Sequence, residues 1–214
     1  MTSAAQRMDR IYRLQRHFYD FTRRPYLLGR IRLIENLRPA AGGRILEIGC
    51  GTAWNLIRAA RTYPDVELYG FDVSSAMLQT AGDNILASDL EARINLSNGD
   101  ATTFDAGVLF GVASFDRVVM SYTLSMIPDW PQVIAQAFEH VAPGGEIHIV
   151  DFGDFAGLPA IARAGLRAWL ARFDVTPRLT LEAELHLLNS SRGWQVEVAR
   201  PYRGYSQYAV IKRP

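Results

Sequence analysis

Short apolar runs alternate with amphipathic segments along most of the chain after residue 39. Runs that end at glycine or acidic residues are typical of buried parallel strands, and apolar residues at three- and four-residue spacing predict helices. Strands are predicted over residues 45–48, 66–71, 94–97, 114–122 and 146–150, with a final antiparallel pair over 194–200 and 207–212. Helices are predicted over 53–61, 75–87, 128–141, 159–173 and 178–189. This alternation indicates an α/β fold with a mostly parallel sheet and right-handed crossovers.

Residues 1–38 carry a different pattern, that of a basic amphipathic arm. Aromatic and aliphatic residues recur at helical spacing from Met8 to Thr22, and arginines fall mainly on the other side. Pro25 interrupts this helix, and residues 26–36 restart a second one. The segment holds nine arginines and three acidic residues, although the whole chain has a net charge of +1. Two interpretations stay open: the arm packs over the sheet with its arginines in solvent, or it adsorbs to an anionic membrane surface.

Length and composition favour one domain with an ordinary core, since the chain has 214 residues of which 49% are hydrophobic. We therefore expect a helical arm or lid over 1–38 and a single ligand-binding domain over 39–214. No signal-peptide pattern opens the chain, and no apolar run approaches the roughly 18 residues that span a bilayer. The lone Cys50 fits a reducing compartment. We expect a cytoplasmic protein, soluble or peripheral to the membrane, with no metal site and no nucleic-acid partner.

The stretch RILEIGCGTAWN, residues 44–55, carries the main chemical signal. Gly49 and Gly51 let the backbone turn sharply after a buried strand, and the following helix points its first amides back over this turn. A dinucleotide site would need a third glycine where Trp54 stands, so that function is disfavoured. Asp72 ends the next strand, 21 residues beyond Gly51. This is close to the spacing of about 20 residues at which an acidic side chain binds a ribose diol.

The sequence Glu47-x-Gly49-x-Gly51 resembles the first motif of class I S-adenosylmethionine (SAM) dependent methyltransferases, although Ala53 stands where many of them have another glycine. The resemblance implies a Rossmann-like sandwich with a seven-stranded, mostly parallel sheet that has one antiparallel strand. It makes residues 39–214 the SAM-binding domain. The cofactor-binding residues that it implies are Tyr26, Glu47, Gly49, Cys50, Gly51, Asp72, Val73, Met77, Asp100, Ala101 and Ser121.

Longer segments narrow the resemblance. They are IYRLQRHFYDFTRRPYLLGR (11–30), EIGCGTAWN (47–55), SYTLSMIPDW (121–130), VDFGD (150–154) and YRGYSQYAV (202–210). Together they are similar to bacterial diacylglycerylhomoserine N-methyltransferases, which complete the betaine lipid diacylglyceryl-trimethylhomoserine by methylating one amine three times with three SAM molecules. This resemblance implies a lipid acceptor met at a membrane surface, with anionic lipid as the partner of the basic arm.

The acceptor's carboxylate and amine suggest two groups of residues. The carboxylate needs a cationic partner, and the substrate-binding candidates are Arg23, Arg24, Arg30, Tyr202 and Arg203. The amine must be neutral before each transfer, so a hydrogen-bond acceptor or a desolvated site is expected near it. The catalytic candidates are Tyr122, at the end of the fourth strand, followed by Tyr19, His17 and Asp151. Tyrosine faces can also stabilise the quaternary ammonium product.

Several alternatives stay open. Tyr19 and Tyr26 could lid the cofactor or simply pack within the arm, Met77 could contact adenine or fill core, and Asp100 could bind adenine or cap a helix. The acceptor could be phosphatidylethanolamine, or a small molecule methylated on oxygen or carbon. A SAM-binding module without catalysis and an aminopropyltransferase are weaker alternatives. The segment SYTL (121–124) lacks the Asn/Asp-Pro-Pro-Tyr/Phe motif of enzymes that methylate nucleobases or glutamine, so those acceptors are disfavoured.

Overall fold

A computed structural model describes residues 27–214 of the protein. The helix predicted over residues 8–22 lies outside the described residues. The described helices are α1 (Arg30–Asn36), α2 (Trp54–Thr62), α3 (Ser75–Leu86), α4 (Ala106–Phe110), α5 (Trp130–His140), α6 (Ala160–Ala171) and α7 (Leu181–Asn189). The strands are β1 (Arg44–Ile48), β2 (Glu67–Asp72), β3 (Ile94–Asn98), β4 (Phe115–Ser121), β5 (Val141–Phe152), β6 (Gln195–Ala199) and β7 (Ser206–Lys212).

The seven strands form one sheet in the order β3-β2-β1-β4-β5-β7-β6. Strands β1 to β5 pair in parallel, and β7 runs antiparallel to both β5 and β6. This confirms the predicted Rossmann-like architecture with one antiparallel strand. Because β1 is central and pairs with β2 and β4, the carboxyl ends of these three strands meet at one edge of the sheet. That edge is where ligands bind in open parallel sheets.

Both faces of the sheet are covered by helices, so β1 carries apolar residues on both of its faces. Leu46 and Ile48 pack into one buried cluster together with residues of α5 and α7, whereas Ile45 packs into a second cluster with residues of α1, α2 and α3. Helix α1 contributes Leu33 and Ile34 to the second cluster. This helix therefore packs over the sheet, which is the first of the two interpretations of the basic arm.

The structure departs from the predicted elements at four places. Helix α1 begins four residues later than predicted, because Gly29 adopts a left-handed conformation with φ 93° before it. Strand β5 begins at Val141, and its pairing with β4 shifts register across the predicted Pro-Gly-Gly turn, where Gly144 has φ 72°. The β6–β7 connection is a helical turn over Pro201–Gly204 rather than a tight hairpin. Helix α4 was not predicted.

No helix among the described residues combines the length and apolar character needed to cross a membrane.

Candidate active site

A cavity of about 370 Å³ opens at the carboxyl ends of β1, β2 and β4. Every cofactor-binding candidate among the described residues lines this cavity. These are Glu47, Gly49, Cys50, Gly51, Asp72, Val73, Met77, Asp100, Ala101 and Ser121. Tyr26 lies outside the described residues. Residues far apart in sequence thus meet at one edge, because each follows the end of a parallel strand or opens the turn after it.

The turn after β1 requires glycine at position 49. Gly49 has φ 69°, and a Cβ atom there would lie 2.5 Å from Cγ2 of Thr123, which follows β4. The amides of Gly49 and Cys50 both donate to the Phe71 carbonyl oxygen at 3.0 Å. These two amides are therefore committed to the neighbouring strand, whereas a phosphate-binding turn would direct its amides at the ligand.

Asp72 connects the turn to β2. Its Oδ2 accepts a hydrogen bond from the Gly51 amide at 2.9 Å, and its Oδ1 accepts one from the Ser74 amide at 2.9 Å. Gly51 has φ 54°, and a Cβ atom there would meet nothing within 4 Å, so open space lies in front of it. The carboxylate is thus fixed beside open space, which is the arrangement expected of a group that accepts hydrogen bonds from a ribose diol.

A chain of polar contacts lines the side of the cavity nearest β1. The Arg30 Nε atom donates to Asn55 Oδ1 at 3.0 Å, and Asn55 Nδ2 donates to Glu47 Oε1. The Arg30 guanidinium lies 4.2 Å from the centroid of the Trp54 ring, a cation–π contact that holds it in place. Among the described residues that line the cavity, Arg30 is the sole cation.

Glu47 is the most perturbed acid of this group. Only 2% of the residue is exposed, and its Oε2 atom has no hydrogen-bond partner. Burial raises the pKa of the carboxyl to about 7, and the Asn55 hydrogen bond and the Arg30 charge oppose that rise. A buried carboxylate oxygen without a partner is costly, so a cationic or hydrogen-bond-donating ligand would be favoured beside it.

The far end of the cavity is built by the turn after β3. Asp100 Oδ1 accepts hydrogen bonds from the Thr102 amide at 2.8 Å and the Thr102 hydroxyl at 2.7 Å. The carboxylate therefore stabilises a turn, and α4 begins only at Ala106, so Asp100 does not cap a helix. Ala101 and Met77 are buried beside it. They supply the flat apolar wall that an adenine ring would need.

Tyr122 occupies a constrained position directly after β4. Its backbone has φ 57°, which is unusual for a bulky residue. Its amide donates to the Val150 carbonyl at 2.8 Å, and its hydroxyl donates to the Leu28 carbonyl at 2.6 Å. Burial raises the pKa of the phenol well above its usual value. The side chain therefore stays neutral and ties the segment before α1 to the edge of the cavity.

Cys50 remains a packing residue, as the sequence indicated. Burial and the nearby carboxylates of Asp72 and Glu47 raise the pKa of its thiol well above the ordinary value. A thiolate nucleophile is accordingly disfavoured here.

Five further lining residues surround the β4 end of the cavity and were not predicted as site residues. Leu27, Met126, Ile127 and Pro128 give it a largely apolar wall, and Asp129 is exposed at its edge. The 3₁₀ turn over Leu124–Met126 shapes this wall. Asn55 was also missed, although its place in the first turn of the helix after the glycine turn was a usable signal.

Three of the described candidates lie away from the cavity. Asp151 is fully buried, and its two carboxylate oxygens accept from the Ser125 amide at 3.0 Å and the Phe152 amide at 2.7 Å, so it fixes backbone instead. Tyr202 and Arg203 lie in the β6–β7 connection and do not line the cavity. The candidates outside the described residues are His17, Tyr19, Arg23 and Arg24. Within residues 27–214, no group of three or more His, Cys, Asp or Glu side chains could hold a metal ion.

Comparisons with known proteins point to one enzyme class. Residues 45–145 match the family model described as a methyltransferase domain. The chain is 29% identical over 116 residues to demethylmenaquinone methyltransferase of Listeria monocytogenes, covering 54% of this chain and 47% of that protein. It is 35% identical over 137 residues to 27-O-demethylrifamycin SV methyltransferase of Amycolatopsis mediterranei, covering 64% of this chain and 47% of that protein. The chain thus spans about half the length of these curated relatives.

Solved structures share the fold over nearly the whole chain. Phosphoethanolamine N-methyltransferase 2 of Haemonchus contortus, in complex with phosphomonomethylethanolamine and S-adenosylhomocysteine, matches with a TM-score of 0.76 at 15% identity, covering 100% of this chain and 61% of that chain. An O-methyltransferase family protein of Burkholderia thailandensis matches with a TM-score of 0.76 at 20% identity, covering 99% and 64%. The fold is therefore that of the class I methyltransferases.

Proposed function

We propose that this chain, whose residues 45–145 form a methyltransferase domain, is a SAM-dependent methyltransferase that binds its cofactor in the cavity above β1. The single observation that carries this proposal is the set of three acids at consecutive places along the cavity, namely Glu47, Asp72 and Asp100. They stand where the cationic amine, the ribose diol and the adenine amino group of SAM would each need an acceptor. The dinucleotide alternative is weakened further because the turn commits its first amides to β2.

The residues beside β1 fit the amino-acid end of the cofactor. That end carries an ammonium and a carboxylate, so it needs one anion and one cation in fixed positions. Glu47 offers a buried Oε2 atom without a hydrogen-bond partner, and Arg30 is oriented by Asn55 and Trp54 on the same side of the cavity. We therefore assign Arg30 to the cofactor carboxylate rather than to the acceptor, because its contacts place it with Glu47.

For the acceptor we propose an amine on a lipid headgroup, with diacylglycerylhomoserine as the substrate and the trimethylated betaine lipid as the product. The segment at 121–130, which is similar to that enzyme family, supplies much of the β4 end of the cavity. Its apolar wall suits the part of a lipid that adjoins the headgroup. The exposed carboxylate of Asp129 suits a cationic group approaching from solvent.

SAM, when bound, supplies a methyl carbon on a sulfonium, and most of the catalysis is positioning of the acceptor lone pair. Tyr122 can contribute as a neutral hydrogen-bond acceptor. Its phenol proton points to the Leu28 carbonyl, so the oxygen can accept an N–H of the amine and orient the nitrogen. The raised pKa of the phenol disfavours a tyrosinate base. Proton release is therefore assigned to solvent at the cavity mouth and favoured by the apolar wall, which lowers the pKa of a bound ammonium.

A second candidate is methylation of oxygen or carbon on a small hydrophobic molecule. The named relatives favour it, since one methylates a demethylmenaquinone and the other a demethylrifamycin. The apolar wall at the β4 end would accept such a molecule equally well. Phosphatidylethanolamine is a third acceptor of the same amine class as the first.

Incubation with methyl-labelled SAM and separate vesicles of diacylglycerylhomoserine or phosphatidylethanolamine tests the acceptor directly. We expect label in the homoserine lipid, passing through one, two and three methyl groups. Label in phosphatidylethanolamine alone would replace the headgroup assignment. A demethylated quinone serves as the third arm, and label only in that arm would establish the second candidate.

A further inference from the structure

Helix α6 is exposed to an unusual degree for a helix of a folded domain. Of its twelve residues, Leu170 is the only one that is buried. Leu166 is partly buried and packs against the same apolar cluster as Leu170. Helices usually derive their stability from packing an apolar face, so a helix with so little of its surface buried raises the question of what its other face contacts.

The outward side of α6 carries a second apolar stripe. Ile161, Ala164 and Ala168 follow one another at three- and four-residue spacing, and all are exposed. Ile161 is 89% exposed, and Trp169, on the edge of this stripe, is 36% exposed. Solvent-facing helix surfaces normally carry charged or polar side chains at this spacing. The outward stripe of α6 is therefore unlike an ordinary solvated face.

The charges of this region have one sign. Arg167 and Arg172 are exposed beside the outward stripe, whereas Arg163 is half-buried on the side of Leu170, and no acidic residue occurs from residue 155 to residue 173. Arginines that flank an apolar stripe are the pattern of helices that lie in the interfacial plane of a membrane. A second copy of the chain is a less suitable partner, because a symmetric contact would bring these arginines together.

The position of α6 places the surface beside the candidate active site. The segment leaves the sheet at the carboxyl end of β5, and it returns where the Thr176 amide donates to the Ser125 carbonyl at 2.8 Å. Arg178 then donates to the carbonyls of Leu124 and Ile127, next to the apolar wall of the cavity. Both ends of the α6 segment are thus attached to the edge of the sheet where the cavity opens.

We infer that α6 is a docking helix for an anionic lipid bilayer, with Ile161 entering the interface and Arg167 and Arg172 contacting lipid phosphates. The inference rests on the proposed lipid acceptor, because an enzyme whose acceptor stays in a bilayer must meet it at the surface. It assigns that contact to α6, which does not belong to the basic arm of residues 1–38.

Vesicle flotation of the full chain tests the inference. The vesicles contain phosphatidylcholine with or without phosphatidylglycerol and no methyl acceptor, so binding is measured apart from methyl transfer. We expect the wild-type chain to bind only the anionic vesicles. The variants Ile161→Asp and Arg167→Glu/Arg172→Glu should each lower the partition coefficient by about tenfold. Circular dichroism and thermal melting confirm that each variant is folded.

Matched controls use exposed positions on other helices. Leu187→Asp on α7 changes an apolar side chain that is 66% exposed, and Arg58→Glu on α2 reverses an exposed charge. Both should bind vesicles like the wild type. The inference is overturned if the α6 variants bind as the controls do, or if sedimentation shows a wild-type dimer that Ile161→Asp converts to a monomer.

Methylation of labelled lipid separates the two proposals. Binding that depends on α6, with no lipid amine methylated, would leave the docking surface in place and remove the lipid acceptor. If lipid amines are methylated but the α6 variants bind vesicles like the wild type, the lipid acceptor stands and the docking surface is removed.

Discussion

The substitution Glu47→Gln distinguishes the effect of this residue on the free energy of unfolding from its effect on cofactor binding. In the folded chain, burial raises the pKa of the carboxyl to about 7 from a reference value of 4.5. The folded state therefore holds the proton more tightly than the unfolded chain. Stability falls as the pH rises from about 4.5 to about 7, because the folded chain must then ionise a buried group. Above that range the cost is constant, at about 3 kcal/mol.

The variant Glu47→Gln removes this titration. Glutamine leaves a buried amide N–H group near the site of the unpartnered oxygen, which costs about 1–3 kcal/mol at every pH. Between pH 5 and pH 8, the free energy of unfolding of the variant should nevertheless rise by about 2–3 kcal/mol relative to that of the wild type. Urea unfolding of the ligand-free proteins at both pH values measures this change. Parallel pH dependences of the two proteins would refute the assignment of the perturbed pKa to Glu47.

The affinity for SAM should depend on pH in the opposite sense to stability, because it should increase as the pH rises. An ionised Glu47 is the form that pairs with the ammonium of SAM, so wild-type affinity should weaken by up to tenfold per pH unit below pH 7. The variant should bind SAM at least about tenfold more weakly at pH 8 and lose this pH dependence, since a charge-assisted hydrogen bond contributes about 1.5–3 kcal/mol. Calorimetry across this pH range measures both effects. Equal affinity of the two proteins at pH 8 would remove Glu47 from the proposed cofactor site.

Three further predictions concern the same edge of the sheet. Asp72→Ala should weaken SAM affinity by about tenfold to a hundredfold, measured by calorimetry, with helix content unchanged; unchanged affinity would refute its ribose role. Tyr122→Phe should lower kcat and nearly preserve SAM affinity, and equal turnover would remove the hydroxyl from the mechanism. Gly49→Ala should cost about 2–4 kcal/mol in urea unfolding, because it combines a left-handed φ with a Cβ atom 2.5 Å from Thr123. Gly51→Ala should cost only about 1–2 kcal/mol, since open space lies in front of it; equal costs would contradict the steric explanation.

The alternation of strands and helices and the cofactor end of the cavity could be predicted because they depend on local sequence patterns. Buried parallel strands are apolar on both faces, so Ile45, Leu46 and Ile48 form a run that needs no knowledge of their partners. The residues that follow such strands meet at one edge in any right-handed parallel sheet. This rule brings Gly49 and Asp72 to one edge, whereas Glu47 was assigned to the site by the resemblance to the methyltransferase motif.

The same rule does not predict whether an acidic side chain at a strand end faces the cavity or accepts hydrogen bonds from backbone amides. Asp151 follows the same pattern as Asp72, yet its oxygens accept from the Ser125 and Phe152 amides. Which way such a side chain turns depends on amides contributed by another element. The left-handed backbone of Tyr202 and Arg203 was likewise unpredictable, because neither residue type favours positive φ.

The acceptor end of the cavity depends on contacts between segments that are distant in sequence and share no hydrophobic periodicity. Leu27, Ile127 and Asp129 come from two regions about 100 residues apart in sequence, and the Tyr122 hydroxyl, which donates to the Leu28 carbonyl, joins these regions at the cavity. Tyr122 makes that contact with a left-handed backbone, and its residue type does not predict this conformation. In the proposed site, polar groups held on strand ends bind the cofactor, whereas an apolar wall assembled from turns faces the acceptor. Acceptor choice can therefore differ among proteins that keep the same fold, and for this chain the decisive measurement is which molecule receives the label.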